Sequence, residues 1–209
     1  MIRRRWLGLA TMVLLAGVLL TSVLLAGCAS NPPQRLFVLS PPAEPARNVP
    51  STATTPSLHL RPVSVPDYLD TTDILLRRGP NEVVPSATGR WGERLSDGIT
   101  QALAAALVAR LPRDPVTLDA PPTSSARQIL VTVEAFDVQP DGGCVLAAHW
   151  TMIEGNLERR GRATLVTAAL EPSRMVGDAM IVAAMAATVS QLADRIVAMS
   201  DATRPSRSQ

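Results

Sequence analysis

Three runs of alternating side chains follow one another over residues 128–138, 144–154 and 159–169, and they restrict the fold of this 209-residue chain more than any other feature. They are parted by Pro140-Asp141-Gly142-Gly143 and by Gly155-Asn156, both hairpin signals. In the first run Leu130, Thr132, Glu134 and Phe136 oppose Val131, Val133, Ala135 and Asp137, a period of two with one mostly apolar face. An antiparallel meander with that face buried is the economical prediction.

The period changes on either side of the meander. Trp91, Leu95, Ile99, Leu103, Leu107 and Leu111 recur at steps of four, with Ala102 and Ala106 on the same face. This predicts an amphipathic helix over 90–111, ended by Pro112 and Pro115. A second helix over 174–199 carries Ile181, Met185, Val189, Leu192, Ile196 and Met199 along one stripe. Short strands are predicted at 35–40, 73–78, 82–85 and 116–118. Another begins at Leu58, and Pro62 and Pro66 place it at a sheet edge or its end. Two helices that each bury one stripe, with six or seven strands, predict an α/β domain of α+β-like, two-layer form. Its sheet is mixed and largely antiparallel, with both helices on one face.

The N-terminus follows a different logic. Arg3, Arg4 and Arg5 precede a run from Trp6 to Ala26 with no charged residue, the layout of a signal peptide. The run ends in Leu25-Ala26-Gly27-Cys28, which is similar to a bacterial lipobox, in which the cysteine thiol receives diacylglycerol. An uncleaved bilayer-spanning anchor is the alternative for an apolar stretch of this length. The position of Cys28 and the breaker Ala29-Ser30-Asn31-Pro32-Pro33 weigh against it. Ala29 stands where Asp usually marks inner-membrane retention in enterobacteria, which favours the outer membrane. The expected organisation is a lipoprotein signal peptide at 1–27, then a lipidated terminus, first strand and Pro-rich loop at 28–57. A globular domain at 58–200 and a polar tail at 201–209 complete it.

Removal of that leader changes the charge. The chain has 20 cations, all arginine, and 18 acids. Three of those arginines lie in the leader, so the remainder is slightly acidic and lacks the clustered positive charge that nucleic acid demands. Cys28 and Cys144 are the only cysteines. A lipidated Cys28 leaves Cys144 without an intramolecular partner, so Cys144 is expected as a small buried core residue in a fold without a disulfide.

Catalytic signatures are missing: there is no G-x-S-x-G elbow, Gly-rich phosphate loop, H-E-x-x-H or Cys-x-x-Cys. His59 and His149 stand far apart, and both are expected as solvent-facing or satisfied strand histidines. Asp67, Asp70 and Asp73 recur every third residue, but the glycine and terminal glutamate of a calcium loop are absent at the right offsets. An enzyme is therefore not expected, and neither is a metal or any cofactor beyond the covalent diacylglycerol and N-acyl lipid on Cys28.

The order of elements from Leu60 to Leu107 resembles the PqiC/YmbA family, the ABC-type transport auxiliary lipoproteins. Val65-Pro66-Asp67-Tyr68-Leu69-Asp70 corresponds to its V-P-x-Y-L-D element, Ile74 to Arg77 to its I-x-x-R strand, and Asn81-Glu82-Val83 to its N-x-[VL] strand. Trp91-Gly92-Glu93-Arg94-Leu95, with Ile99 and Leu103, corresponds to its W-A-E-P-L helix start, with Gly92 for the usual Ala and Arg94 for the usual Pro. VAAMAATVSQLADRI is similar to the closing helix. The resemblance implies a non-enzymatic lipoprotein in the inner leaflet of the outer membrane that docks a periplasm-spanning MCE-domain protein of an inner-membrane complex. It also implies phospholipid or other hydrophobic cargo, a ring-shaped homo-oligomer and support of envelope integrity. Tyr68, Trp91 and Arg94 are the candidate partner contacts, with core packing the competing expectation for Trp91, which lies on the apolar stripe. An envelope-assembly or cell-wall lipoprotein sharing only the fold is the competing expectation.

Overall fold

A computed structural model describes residues 33–39, 57–112, 114–118, 127–168 and 177–201. The predicted meander forms as β6 (Arg127–Val138), β7 (Cys144–Glu154) and β8 (Leu157–Thr167). Both pairings are antiparallel. Gly155 takes φ 58°, so the two-residue turn into β8 uses the left-handed region that glycine enters freely.

The alternation in β6 breaks at one place. Val133 pairs with Ala148 and Ala135 with Ala147, so Glu134 is an extra residue on this strand, a β-bulge. Before the bulge Ile129, Val131 and Val133 are buried; after it Phe136 and Val138 are. A strict period of two assigns Phe136 to the face of Leu130 and Thr132. The bulge advances the phase by one residue and returns the large ring to the core.

Two arms grow from the other edge of β6. Its first residues pair in parallel with β2 (Leu58–Leu60), which pairs in parallel with β5 (Val116–Thr117). Its last residue, Val138, meets Leu76 of β3 (Asp73–Gly79). β3 pairs antiparallel with β4 (Glu82–Trp91), and β4 pairs in parallel with β1 (Arg35–Phe37). The result is one forked, mixed sheet of eight strands.

The β2 position corrects the expectation of an edge strand. It lies between β5 and β6 with all three residues buried. Pro62 falls beyond its last residue, so no ladder donor is lost. His59 is correspondingly 4% exposed, and its Nδ1 has no hydrogen-bond partner, unlike the solvent-facing or satisfied histidine expected there.

Helix α1 (Leu95–Arg110) and helix α2 (Asp178–Asp201) pack against each other; α2 also contacts β7 and β8. The start of α1 corrects a second expectation. Trp91 is in phase with Leu95 but ends β4, its amide donating to Thr72 O at 2.8 Å, and Arg94 is extended at φ −63°, ψ 147°. Within Asp178–Ser200 an 18-residue stretch of α2 reaches a mean hydropathy of 1.4, enough by length and composition to cross a bilayer. Its Ile181, Met185, Val189, Leu192 and Ile196 stripe is buried in the core, however, which accounts for that apolarity in a folded domain.

Polar side chains tie the layers together. Thr100 of α1 accepts from Val63 N and donates to Ser96 O, fixing the exit of β2 on the helix. Asp178 accepts from the hydroxyls of Ser86 and Thr88 on β4, both at 2.6 Å, and holds the start of α2 to the sheet. Asp114 and Arg127 form a buried ion pair at 3.0 Å.

Candidate functional site

The segment between β2 and β3 is short of regular hydrogen bonds and rich in turn formers, with Pro66, Asp67, Asp70 and two threonines. It folds as turns: Leu69 N and Asp70 N both donate to Pro66 O. Within it Leu69 is buried and Tyr68 is 46% exposed, so the apolar residue pins the loop while the tyrosine faces outward.

This loop closes the N-terminus of α1. The first amides of a helix have no partner within it. Arg94, at the N-cap, offers no side-chain cap. Leu95 N instead donates to Thr71 O, and Ser96 N to Asp70 Oδ1 at 3.3 Å. Arg94 in turn reaches back, its Nη1 donating to the backbone oxygen and to Oδ2 of Asp70, each at 3.0 Å. Hydrogen bonds from Ser96, with Arg94 alongside, hold the Asp70 carboxyl below its ordinary value.

Tyr68 is set by a second group. Arg77 donates to Asp137 Oδ1 at 2.6 Å and to the backbone oxygens of Gly79 and Pro80, so one guanidinium joins β6 to the β3–β4 turn. The Tyr68 hydroxyl neighbours this pair. Partial burial, with the Asp137 charge beside it, raises the phenol above its usual value against the opposing pull of Arg77. Tyr68 and Arg94 therefore belong to one corner, held by the 66–72 loop.

Trp91 does not share that exposure. It is 4% exposed, in the core cluster, because β4 continues through it and turns its ring inward. The expectation of a partner contact there is corrected, since a side chain so covered offers almost no surface. Cys28 lies outside the described residues.

The Asp67, Asp70, Asp73 spacing also resolves into separate tasks. Asp70 caps α1, and Asp73 pairs with Arg90 at 3.1 Å. No group of three or more His, Cys, Asp or Glu able to hold a metal occurs among the described residues. Cys144 is fully buried, and burial pushes its thiol up to about 12.

One feature escaped the sequence. The bulge presents Glu134 to His149 Nδ1 at 3.2 Å and to Arg162, which donates to it. Together with Trp150, Thr151, Arg160 and Gly161 these residues line a shallow cleft of about 380 Å³. Arg162 and His149 hold the Glu134 carboxyl low, so its charge is already compensated. The only sequence signal was a glutamate in an apolar strand. Beneath the cleft the Trp150 ring covers Gly161 so closely that a Cβ there would stand 2.3 Å from Cε2.

Residues 37–197 match the family model described as the ABC-type transport auxiliary lipoprotein component. Among solved structures, a crystal structure of an uncharacterized protein superposes with a TM-score of 0.67 at 21% identity, covering 81% of this chain and 99% of that one. Protein XCC0632 from Xanthomonas campestris, of family DUF330, superposes with a TM-score of 0.54 at 15% identity, covering 82% and 97%. At these identities both show a shared fold alone. No curated protein matches the chain. The family match runs from the end of β1 into α2 and takes in the 66–72 loop, α1 and the whole meander, and the chain belongs to the ABC-type transport auxiliary lipoprotein family.

Proposed function

We propose that this protein is an outer-membrane lipoprotein, anchored in the inner leaflet through diacylglycerol and N-acyl chains on Cys28. In this reading it docks the MCE-domain protein of an inner-membrane complex that moves phospholipid or other hydrophobic molecules. The observation that carries the reading is the family match over 37–197, since that family is described as a transport auxiliary component and not as an enzyme. The Arg3–Arg5 cluster, the uncharged run and Leu25-Ala26-Gly27-Cys28 support the anchor, and Ala29 supports the outer membrane.

The physical requirements are modest. One acyl chain binds a bilayer marginally, but several on one cysteine hold it firmly, at about 0.8 kcal/mol per buried methylene. An anchored domain meets its partner at a raised effective concentration, so a small interface suffices. Tyr68 and Arg94 are the contact points proposed here, and a ring-shaped homo-oligomer would multiply them.

The anchor is tested by Cys28→Ala. The variant is expected to accumulate as an unlipidated or unprocessed form absent from the outer-membrane fraction. Fractionation indistinguishable from the wild type would overturn the lipoprotein reading.

A further inference from the structure

Leu36, in the middle of β1, is 72% exposed, and Val38, two residues on, is 59% exposed. Side chains two apart in extended chain point the same way. Their neighbours do the opposite: Phe37 packs against the core and Leu39 is buried. The segment thus alternates, but its outward positions carry leucine and valine where a strand facing water would carry polar groups. β1 also ends the strand path, and its outer edge has no partner strand among the described residues. Two adjacent aliphatic side chains on an open edge form a patch that calls for a partner.

Chain length identifies that partner. Leu36 stands eight residues after Cys28, and a chain spans at most about 3.6 Å per residue, so the two are within about 29 Å of each other. If Cys28 carries lipid, the patch is held close to the bilayer surface.

We propose that Leu36 and Val38 rest in the membrane interface, so that the β1 edge of the folded body, and not the lipid alone, contacts the bilayer. This rests on the reading that Cys28 is lipidated. Anchoring keeps the patch at high local concentration, so two aliphatic side chains suffice to hold the domain in one orientation.

The test uses the full chain, processed and lipidated, in phosphatidylethanolamine–phosphatidylglycerol vesicles. A single environment-sensitive fluorophore is attached at Leu36→Cys or Val38→Cys. Controls carry it at Val108→Cys on α1 or Val166→Cys on β8, both exposed in the native structure. Labelling is selective, because Cys144 is fully buried with its thiol pushed up to about 12. Lipids carrying a nitroxide on the acyl chain are expected to quench labels 36 and 38 about twofold or more beyond 108 and 166. Side chains in the interface sit about 5–10 Å deep, within reach of that quencher. Equal quenching at all four sites, with lipid on Cys28 confirmed by mass, would overturn the contact and leave the anchor standing. Labels at 36 and 38 shielded from water yet unquenched would mean that a second copy covers the patch, which also overturns it. A lipid-free Cys28 would remove the anchor reading and this proposal together.

Discussion

Asp70 works across 24 positions of sequence, accepting a hydrogen bond from Arg94 and capping the head of α1. Asp70→Ala should lower stability by about 1 kcal/mol, the usual cost of a lost N-cap, read as a lower denaturant midpoint with unchanged slope. Its carboxyl lies below the ordinary 3.8 in the folded state, so it binds its proton less readily there than in the unfolded chain. Its contribution is therefore fully present above the unfolded value and lost as pH falls through the folded one. The difference between wild type and Asp70→Ala should shrink below about pH 4. Gly161 makes a sharper demand. A Cβ there meets Trp150 Cε2 at 2.3 Å and Cζ2 at 2.4 Å, and that ring is only 4% exposed. Gly161→Ala should cost about 1–3 kcal/mol through overpacking, measured by thermal or denaturant unfolding. Neither role was legible in the sequence. Asp70 stood out only as one of three aspartates that fail a calcium loop, because the amide it caps lies 26 residues away, and Gly161 read as one more position in an alternating run.

At the scale of elements, the local signals succeeded and the distant ones did not. The meander was legible because each strand adjoins its partner through a short turn, so alternation and turn chemistry sufficed. The stripe of α2 was legible for the same reason. The start of α1 was misplaced because Trp91 keeps helical phase with Leu95 while β1 and Thr72, remote in sequence, hold it as strand. β2 seemed an edge strand because its parallel pairings with β5 and β6 leave no adjacent signal. The bulge at Glu134 was likewise hidden, although it decides where Phe136 points. The open edge of β8 suggests another test. Among the described residues this strand pairs with β7 alone; it is 11 residues long and carries Arg159, Arg160 and Arg162. Charges of this kind discourage edge-to-edge pairing. Replacing Arg160 and Arg162 with valine should leave the monomer folded but raise concentration-dependent association, seen by light scattering.

For the molecule as a whole, the sheet end that carries β1 is also the end nearest Cys28 in sequence, and it adjoins the loop that bears Tyr68. Thr72, which closes that loop, accepts from Trp91 N, and Phe37 O of β1 accepts from the next amide, Gly92 N. A partner that delivered apolar cargo to a bilayer would have to end close to it, so the proposed docking corner and the proposed membrane contact of β1 are physically compatible. The fold class and family were legible from the order of motifs, and the burial of Trp91 from its place on the apolar stripe, whereas its setting at the end of β4 was not, because only long-range pairing makes it strand. The central claim is that this corner receives an MCE-domain protein. Its most direct measurement is photocrosslinking in intact cells, with a photoreactive phenylalanine analogue at Tyr68 and, as control, at Val166 on β8. An adduct with an MCE-domain protein is expected from position 68, weaker or absent from position 166 and lost in Cys28→Ala. Efficient crosslinking at 68 that never captures such a protein would contradict it.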